Sequence, residues 1–384
     1  MLESLDGDSL VDGAVADAAL VRAMLDVEAG LVRALERLGI VASGAGGAVT
    51  SALADLDVDP ADLGRRAVTS GSPVVPLVAD LRDAVPDDVR AAVHVGATSQ
   101  DVLDTALMLC ARRAMDPLQE SLSRACEAAS RLAAQHRSTP MLARTLGQPA
   151  QPTTFGLRAA GWFGGLEAAR NRLAGVELAA QLGGAAGTLA AYGGRGLDAL
   201  AVLADETGLA DPGAPWHTER SRVHVLAAAL AGVTVAAAKV ATDVLLMAQA
   251  EVAEIGEGSP GGSSSMPHKR NPVESVLLVS AARRAPGLAS AVLAAGVHEH
   301  ERATGSWHAE WVPVRDLLRL AGGAAARVAH LLASLQVDAA AMRRNLDAAG
   351  ADVLVGTRLE AHVSSAAAIV DRMLPASPAV QAQP

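Results

Sequence analysis

Apolar residues recur at three- and four-residue steps through residues 14–39, where Leu20, Met24, Val27, Leu31 and Leu35 form one stripe before Gly39. That spacing predicts an amphipathic helix stopped by glycine. A small helical region follows, punctuated by Asp59-Pro60, Gly71-Ser72-Pro73 and Val85-Pro86. Beyond a loop at residues 94–101, Leu103, Leu107, Cys110 and Ala114 again share one helical face. Asp116-Pro117 either restarts or kinks that helix. Further long helices are predicted over 152–181, 221–257, 273–297 and 313–335. The second, if continuous, reaches roughly 55 Å at 1.5 Å per residue, a length that suits a bundle. The pattern holds no β-alternation of note and no fixed-period repeat. After about residue 346 one short amphipathic stretch remains, then a tail containing Pro375-Ala376-Ser377-Pro378 that is expected to be disordered. The expected division is a helical N-terminal domain at 1–100, a long-helix bundle at 101–345 and a short residual segment at 346–384.

Composition sharpens this picture. The 384 residues are 51 % hydrophobic but only 2 % aromatic, so the core must be built from Ala, Leu and Val. Small side chains let helices approach closely, and alanine has the best helix propensity. The fold class expected is all-α. A net charge of −10 argues against a nucleic-acid partner, because phosphate binding needs a basic face. Cys110 and Cys126 show no metal or disulfide spacing and are expected as buried free thiols. The N-terminus lacks a basic-then-apolar signal segment, and the apolar run near Val225 to Ala238 is shorter than the ~20 residues a membrane span needs. A cytoplasmic protein with no membrane partner is expected.

The chemistry concentrates in Gly262-Ser263-Ser264-Ser265-Met266-Pro267-His268-Lys269-Arg270-Asn271-Pro272. Asn271-Pro272 reads as a helix start, with asparagine at the cap and proline at the first helical position. Unpaired N–H groups at such a start suit an anion, and Lys269 adds a cation. Composition alone would also allow an exposed Gly/Ser linker.

Residues 262–271 match the pattern GSSxMPxKxN without a gap, and by this motif the chain resembles the fumarase/aspartase superfamily. The resemblance implies an all-α long central helix bundle with a small N-terminal helical domain. It also implies cleavage or formation of a C–O or C–N bond beta to a carboxylate, through an aci-carboxylate carbanion and without a cofactor or metal. Members usually carry a third, C-terminal helical domain, for which too few residues remain here, so a truncated one is expected.

Two more blocks fit. His94-Val95-Gly96-Ala97-Thr98-Ser99-Gln100-Asp101 is similar to the HxGxTSQD block of the adenylosuccinate lyase and carboxymuconate cycloisomerase branches. Thr98 and Ser99 would donate to a substrate carboxylate and His94 would move a proton, with Asp101 or Ser99 capping the next helix. The segment at residues 143–157 resembles T-H-x-Q-P-A-Q-P-T-T, but Leu146 stands where the adenylosuccinate branch has its histidine acid. Arg144, Thr145 and Gln148 remain as candidate substrate contacts, Arg144 the best carboxylate anchor by its bidentate geometry. Expelling an amine requires a proton donor, whereas a carboxylate with a conjugate-acid pKa of about 4 leaves unaided. Leu146 therefore points to a carboxylate as leaving group, or as nucleophile in reverse, as in lactone formation.

Pro215-Trp216-His217-Thr218-Glu219-Arg220, and Glu301-Arg302 with residues 305–311, resemble blocks of the bacterial 3-carboxy-cis,cis-muconate cycloisomerase branch. His217, Arg220 and Arg302 join the substrate-binding candidates. The implied reaction interconverts 3-carboxy-cis,cis-muconate and γ-carboxymuconolactone in protocatechuate breakdown. Ser263 would serve as base, and Lys269 and Asn271 would hold the aci-carboxylate. The implied assembly is a homotetramer with sites shared between subunits, acting on a small di- or tricarboxylate. An adenylosuccinate-type lyase and a non-catalytic structural oligomer on the same fold are the alternatives. His298-Glu299-His300-Glu301 is discounted as a metal site because i,i+2 residues do not face one another on a helix. The glycines at 183–187 do not form a dinucleotide fingerprint.

Overall fold

The computed structural model describes residues 7–350 and 359–375. The chain opens with α1 (Ser9–Val15), capped by the Asp8 carboxylate, and α2 (Asp17–Arg37). The single helix expected over 14–39 is thus broken at Ala16, whose backbone is extended. Three short helices follow: α3 (Ala45–Asp55), α4 (Pro60–Ala67) and α5 (Val74–Ala84).

α6 (Ser99–Gln135) runs without interruption through Pro117, so that proline neither restarts nor ends it. Proline removes the bond to the carbonyl four residues back, which belongs to Arg113 on the exposed side of the helix. Two strands then form a hairpin, β1 (Pro140–Thr145) and β2 (Gln148–Thr154), where only helix and loop were expected. α7 (Phe155–Ala174) follows, shorter than predicted at both ends, and then α8 (Gly196–Thr207).

α9 (Ser221–Met247) ends ten residues before the predicted limit of 257, giving about 40 Å at 1.5 Å per residue. Its last turn leads through a loop into β3 (Ile255–Gly256). α10 (Val273–Ala295) and α11 (Ser306–Ser334) complete the long helices, and α11 carries Pro313 within it. β4 (Gln336–Val337), antiparallel to β3, leads to α12 (Ala339–Ala348), and α13 (Leu359–Met373) packs on α7 and β2. The tail expected to be disordered lies, from residue 376 onward, outside the described residues.

α6, α7, α9, α10 and α11 pack on one another as the bundle, and α2 lies against α6 and α8. One apolar cluster runs from Val11 through α2, α5 and α6 into α9, α10 and α11, so the N-terminal helices share the bundle's core. Cys110 and Cys126 are buried free thiols, and burial pushes both up to about 11.

α9 and α10 are each long and apolar enough to cross a membrane by length and composition, contrary to the expectation from the apolar run. A run count misses them because isolated polar residues interrupt stretches whose mean hydropathy stays high. Only 28 % of the most apolar window of α10 is buried, against 56 % for α9. Val276 and Leu293 on α10, and Val225, Val235 and Leu246 on α9, stand largely exposed.

Candidate active site

One group of motif residues gathers where α6 begins. Thr98, not Ser99 or Asp101, is the N-cap: its hydroxyl accepts the Asp101 N–H, and Asp101 Oδ2 accepts the Thr98 N–H at 2.9 Å. This reciprocal capping box satisfies two end-of-helix donors. Asp101 does more. Its carboxylate also accepts from the Gly183 and Gly184 N–H groups at 2.9 and 3.0 Å and meets His217 Nε2 at 2.5 Å. The 183–184 segment and His217 are therefore pinned to the α6 terminus. Ser99 is half-buried and its hydroxyl makes no hydrogen bond among the described residues.

Beneath this terminus lies a buried charge network. Arg220 donates to Asp104 at 2.7 and 3.1 Å and to Glu310 at 2.5 and 3.1 Å, while its guanidinium sits 4.9 Å from the Trp216 ring centroid. Trp307 Nε1 also donates to Asp104, at 2.9 Å. Burial works against the Arg220 charge, but the two carboxylates outweigh it and raise the pKa. Gln100 links the network upward, donating to Asp104 and to the His217 carbonyl and accepting from Arg302 at 2.9 Å. Arg302 also donates to the Gly184 carbonyl.

These partners correct the expected roles of His217 and Arg220. Both are almost wholly buried, and their polar groups are used by Asp101, Asp104 and Glu310. Their polar groups point inward to these carboxylates, so they brace the start of α6 and are not the exposed substrate contacts expected. Arg302 is only half-buried and remains at the surface of the same cluster.

The second group lies at the other end of the bundle. Arg144 on β1 makes a bidentate pair with Glu254 at 2.9 and 2.8 Å, and Glu254 also accepts from Asn345. Glu254 is fully buried, so Arg144 is committed to an internal carboxylate and is not the free substrate anchor expected. Thr145 and Gln148 face each other as the last pair of the hairpin, both exposed. The turn between them is Leu146-Gly147, with φ of +52° and +76°. Positive φ at both central residues is the type I′ pattern that matches strand twist. It is rare for leucine, and Leu146 is fully exposed.

The signature loop stands nearby in the chain. Gly261 and Asn271 exchange two backbone hydrogen bonds of 2.8 Å, and Asn271 Nδ2 donates to the Gly262 carbonyl at 2.8 Å, closing the loop at its base. The expected helix start is displaced by one residue. Pro272 occupies the cap, α10 begins at Val273, and the Asn271 side chain braces the loop instead of capping. Nor is the helix end open to a substrate anion: the buried Glu257 carboxylate accepts from the N–H groups of Glu274 and Ser275 and from the Ser275 hydroxyl. An internal carboxylate already neutralises those donors.

Ser263 Oγ accepts from the N–H groups of Ser265 and Met266, at 3.4 and 3.2 Å. The Lys269 ammonium has no partner among the described residues, and residues 264–270 are exposed. A serine oxygen facing two N–H groups, with an unpaired ammonium in the same loop, is set up to carry negative charge.

A single chain does not bring the two groups together. His217 and Arg220 immediately precede α9, whereas Glu254 and the signature loop follow its far end, so about 40 Å of helix separates them. α10 returns over about 34 Å, ending beside His224 of α9.

Sequence reasoning missed Glu28, Asp104, Glu254, Glu257 and Glu310, each buried. A signal existed for Glu28, which lies on the apolar stripe of Met24, Leu31 and Leu35. Glu254 and Glu257 follow an apolar helix with nothing local to mark them. The 298–301 segment is a loop after α10 and not the expected helix, so helical spacing does not set which of its side chains face one another. There His298 Nε2 lies 3.2 Å from Glu310 and Glu299 accepts from Thr304.

A family model described as "Lyase" matches residues 74–287. The chain is 46 % identical over 342 residues to a 3-carboxy-cis,cis-muconate cycloisomerase of Bradyrhizobium diazoefficiens, covering 86 % of this chain and 76 % of that protein. It is 44 % identical over 370 residues to a nitrosuccinate lyase of Streptomyces davaonensis, covering 92 % of this chain and 78 % of that one. The crystal structure of 3-carboxy-cis,cis-muconate lactonizing enzyme from Pseudomonas putida superimposes with a TM-score of 0.86 at 34 % identity, over 100 % of this chain and 91 % of that chain.

Proposed function

The chain belongs to the lyase family of the fumarase/aspartase superfamily, and on that premise we propose that it interconverts 3-carboxy-cis,cis-muconate and γ-carboxymuconolactone. One observation carries the mechanism: the signature loop holds Ser263 Oγ against two backbone N–H groups and leaves the Lys269 ammonium without a partner among the described residues. In the lactonising direction a substrate carboxylate oxygen adds to the alkene carbon beta to a second carboxylate. The electron pair moves onto that second carboxylate as the aci form, and Ser263 O–H delivers a proton to the carbon between. In the reverse direction Ser263, as alkoxide, removes that proton and the ring oxygen leaves as carboxylate. Lys269 offsets the negative charge in both. The departing carboxylate is a weak base, so Leu146 in place of an acid costs the reaction nothing.

The site is composite in this reading. His94, Thr98, Ser99 and Arg302 come from one copy of the chain and Ser263, Lys269 and the Thr145–Gln148 hairpin from others. The exposed apolar residues of α9 and α10 are the faces those copies cover, in a homotetramer. We place the enzyme in the cytoplasm, as an intracellular catabolic step.

A second reading is favoured by the nitrosuccinate lyase relative. Nitrite is also a weak base, so Leu146 does not separate the two. Side-by-side assays do: loss of the conjugated-diene absorbance with 3-carboxymuconate, and nitrite release from nitrosuccinate. Faster diene loss by at least tenfold in kcat/KM is expected, and the reverse order would assign the nitrosuccinate activity. Rapid adenylosuccinate cleavage would contradict both.

A further inference from the structure

Glu28 lies midway along α2 with no solvent exposure, among Met24, Leu31 and Leu35 of the core. A carboxylate there is strongly disfavoured unless a cation or donors meet it. Its Oε1 lies 2.6 Å from His94 Nδ1, and its Oε2 has no hydrogen-bond partner among the described residues. His94 is thus its sole polar contact among the described residues. The backbone turns the imidazole to this partner: His94 has φ +62°. The residues flanking it are clamped, Val93 by Arg82 on its carbonyl at 3.1 Å and Val95 by the Tyr192 hydroxyl at 2.8 Å. His94 Nε2 makes no hydrogen bond among the described residues, and the side chain is 19 % exposed.

We infer that Glu28 and His94 form a dyad that presents a charged Nε2–H to a substrate carboxylate, Glu28 being the positioning residue that keeps the imidazole charged and oriented. The inference rests on the site reading proposed above. A carboxylate at Nδ1 fixes the hydrogen there in both protonation states, so the titrating proton is the one on Nε2. The pair engages one carboxylate oxygen and one ring nitrogen, which leaves the Nε2 of a 19 % exposed side chain open on the side away from Glu28. The groups facing the imidazole support its charge. Burial opposes the imidazolium, but the hydrogen bond and charge of Glu28 outweigh it, with Asp101 of α6 assisting and Arg82 of α5 opposing, and the pKa is raised. Tyr192, its phenol pushed up by burial, stays neutral.

The test is calorimetric binding of propane-1,2,3-tricarboxylate to the intact protein between about pH 5.5 and 8.5, in the wild type, Glu28→Gln and His94→Gln. Wild-type affinity should fall as pH rises past the ordinary histidine value of 6.5. Glu28→Gln should move that fall to lower pH and weaken binding at pH 7 by up to about tenfold. His94→Gln should abolish the fall. Should Glu28→Gln fail to fold, the His94 ring-proton titration in the wild-type NMR spectrum, identified by its loss in His94→Gln, reads the same quantity. A His94 that titrates at or below the ordinary value, or a folded Glu28→Gln protein with an unchanged profile, overturns the dyad. Loss of the proposed turnover with the titration intact would count against the function instead, because binding is read without reaction.

Discussion

Ser263 and Arg220 separate chemistry from architecture. Removing the Ser263 oxygen leaves the loop's backbone bridge and Lys269 in place, so Ser263→Ala should bind substrate normally and lose roughly 10²–10⁴-fold in kcat. Steady-state kinetics would check this, and a variant keeping most of its kcat would move the base elsewhere. Arg220→Met should act on stability, because it leaves Asp104 and Glu310 buried without their shared cation. A loss of about 3–5 kcal/mol in urea unfolding is expected. The sequence marked Arg220 and Arg144 as notable but misread their purpose. An arginine in a motif does not reveal whether its carboxylate belongs to a substrate or to a distant residue such as Glu254 or Glu310. His94 carries a pH signature of its own. Its folded pKa is raised, so the stability it contributes is complete below the unfolded value of about 6.5 and is lost as pH rises through the folded one.

At the scale of elements, the long helices were legible because their periodicity extends over five or more turns. The β1–β2 hairpin was not, since Gln148-Pro149-Ala150-Gln151-Pro152 shows neither alternation nor β-branched residues, and its pairing follows from the turn's backbone. The early end of α9 was equally hidden: apolar residues continue past Met247, but Glu254 must turn inward to meet Arg144. The hairpin makes a prediction of its own. Leucine in the left-handed region costs about 1–2 kcal/mol, whereas asparagine is well tolerated there. Leu146→Asn should therefore stabilise the protein by up to about 1 kcal/mol in thermal unfolding. Leu146→His should not speed lactonisation, because the leaving carboxylate needs no acid; a large gain would show that one is missing.

At the scale of the molecule, the bundle separates the motif blocks by the length of α9, and the apolar faces of α9 and α10 remain uncovered in one chain. The sequence could list the blocks but not their separation, which depends on helix direction. Light scattering should find a tetramer, and a stable, active monomer would contradict the composite site. The most direct measurement joins assembly to chemistry. His94→Gln and Ser263→Ala variants, each expected to be strongly impaired alone, are co-expressed and assayed for loss of 3-carboxymuconate absorbance. Random mixing places an intact His94 and an intact Ser263, from different chains, in about a quarter of the sites. Recovery of up to about a quarter of wild-type activity is the predicted result, and mixed tetramers with no recovery would contradict it.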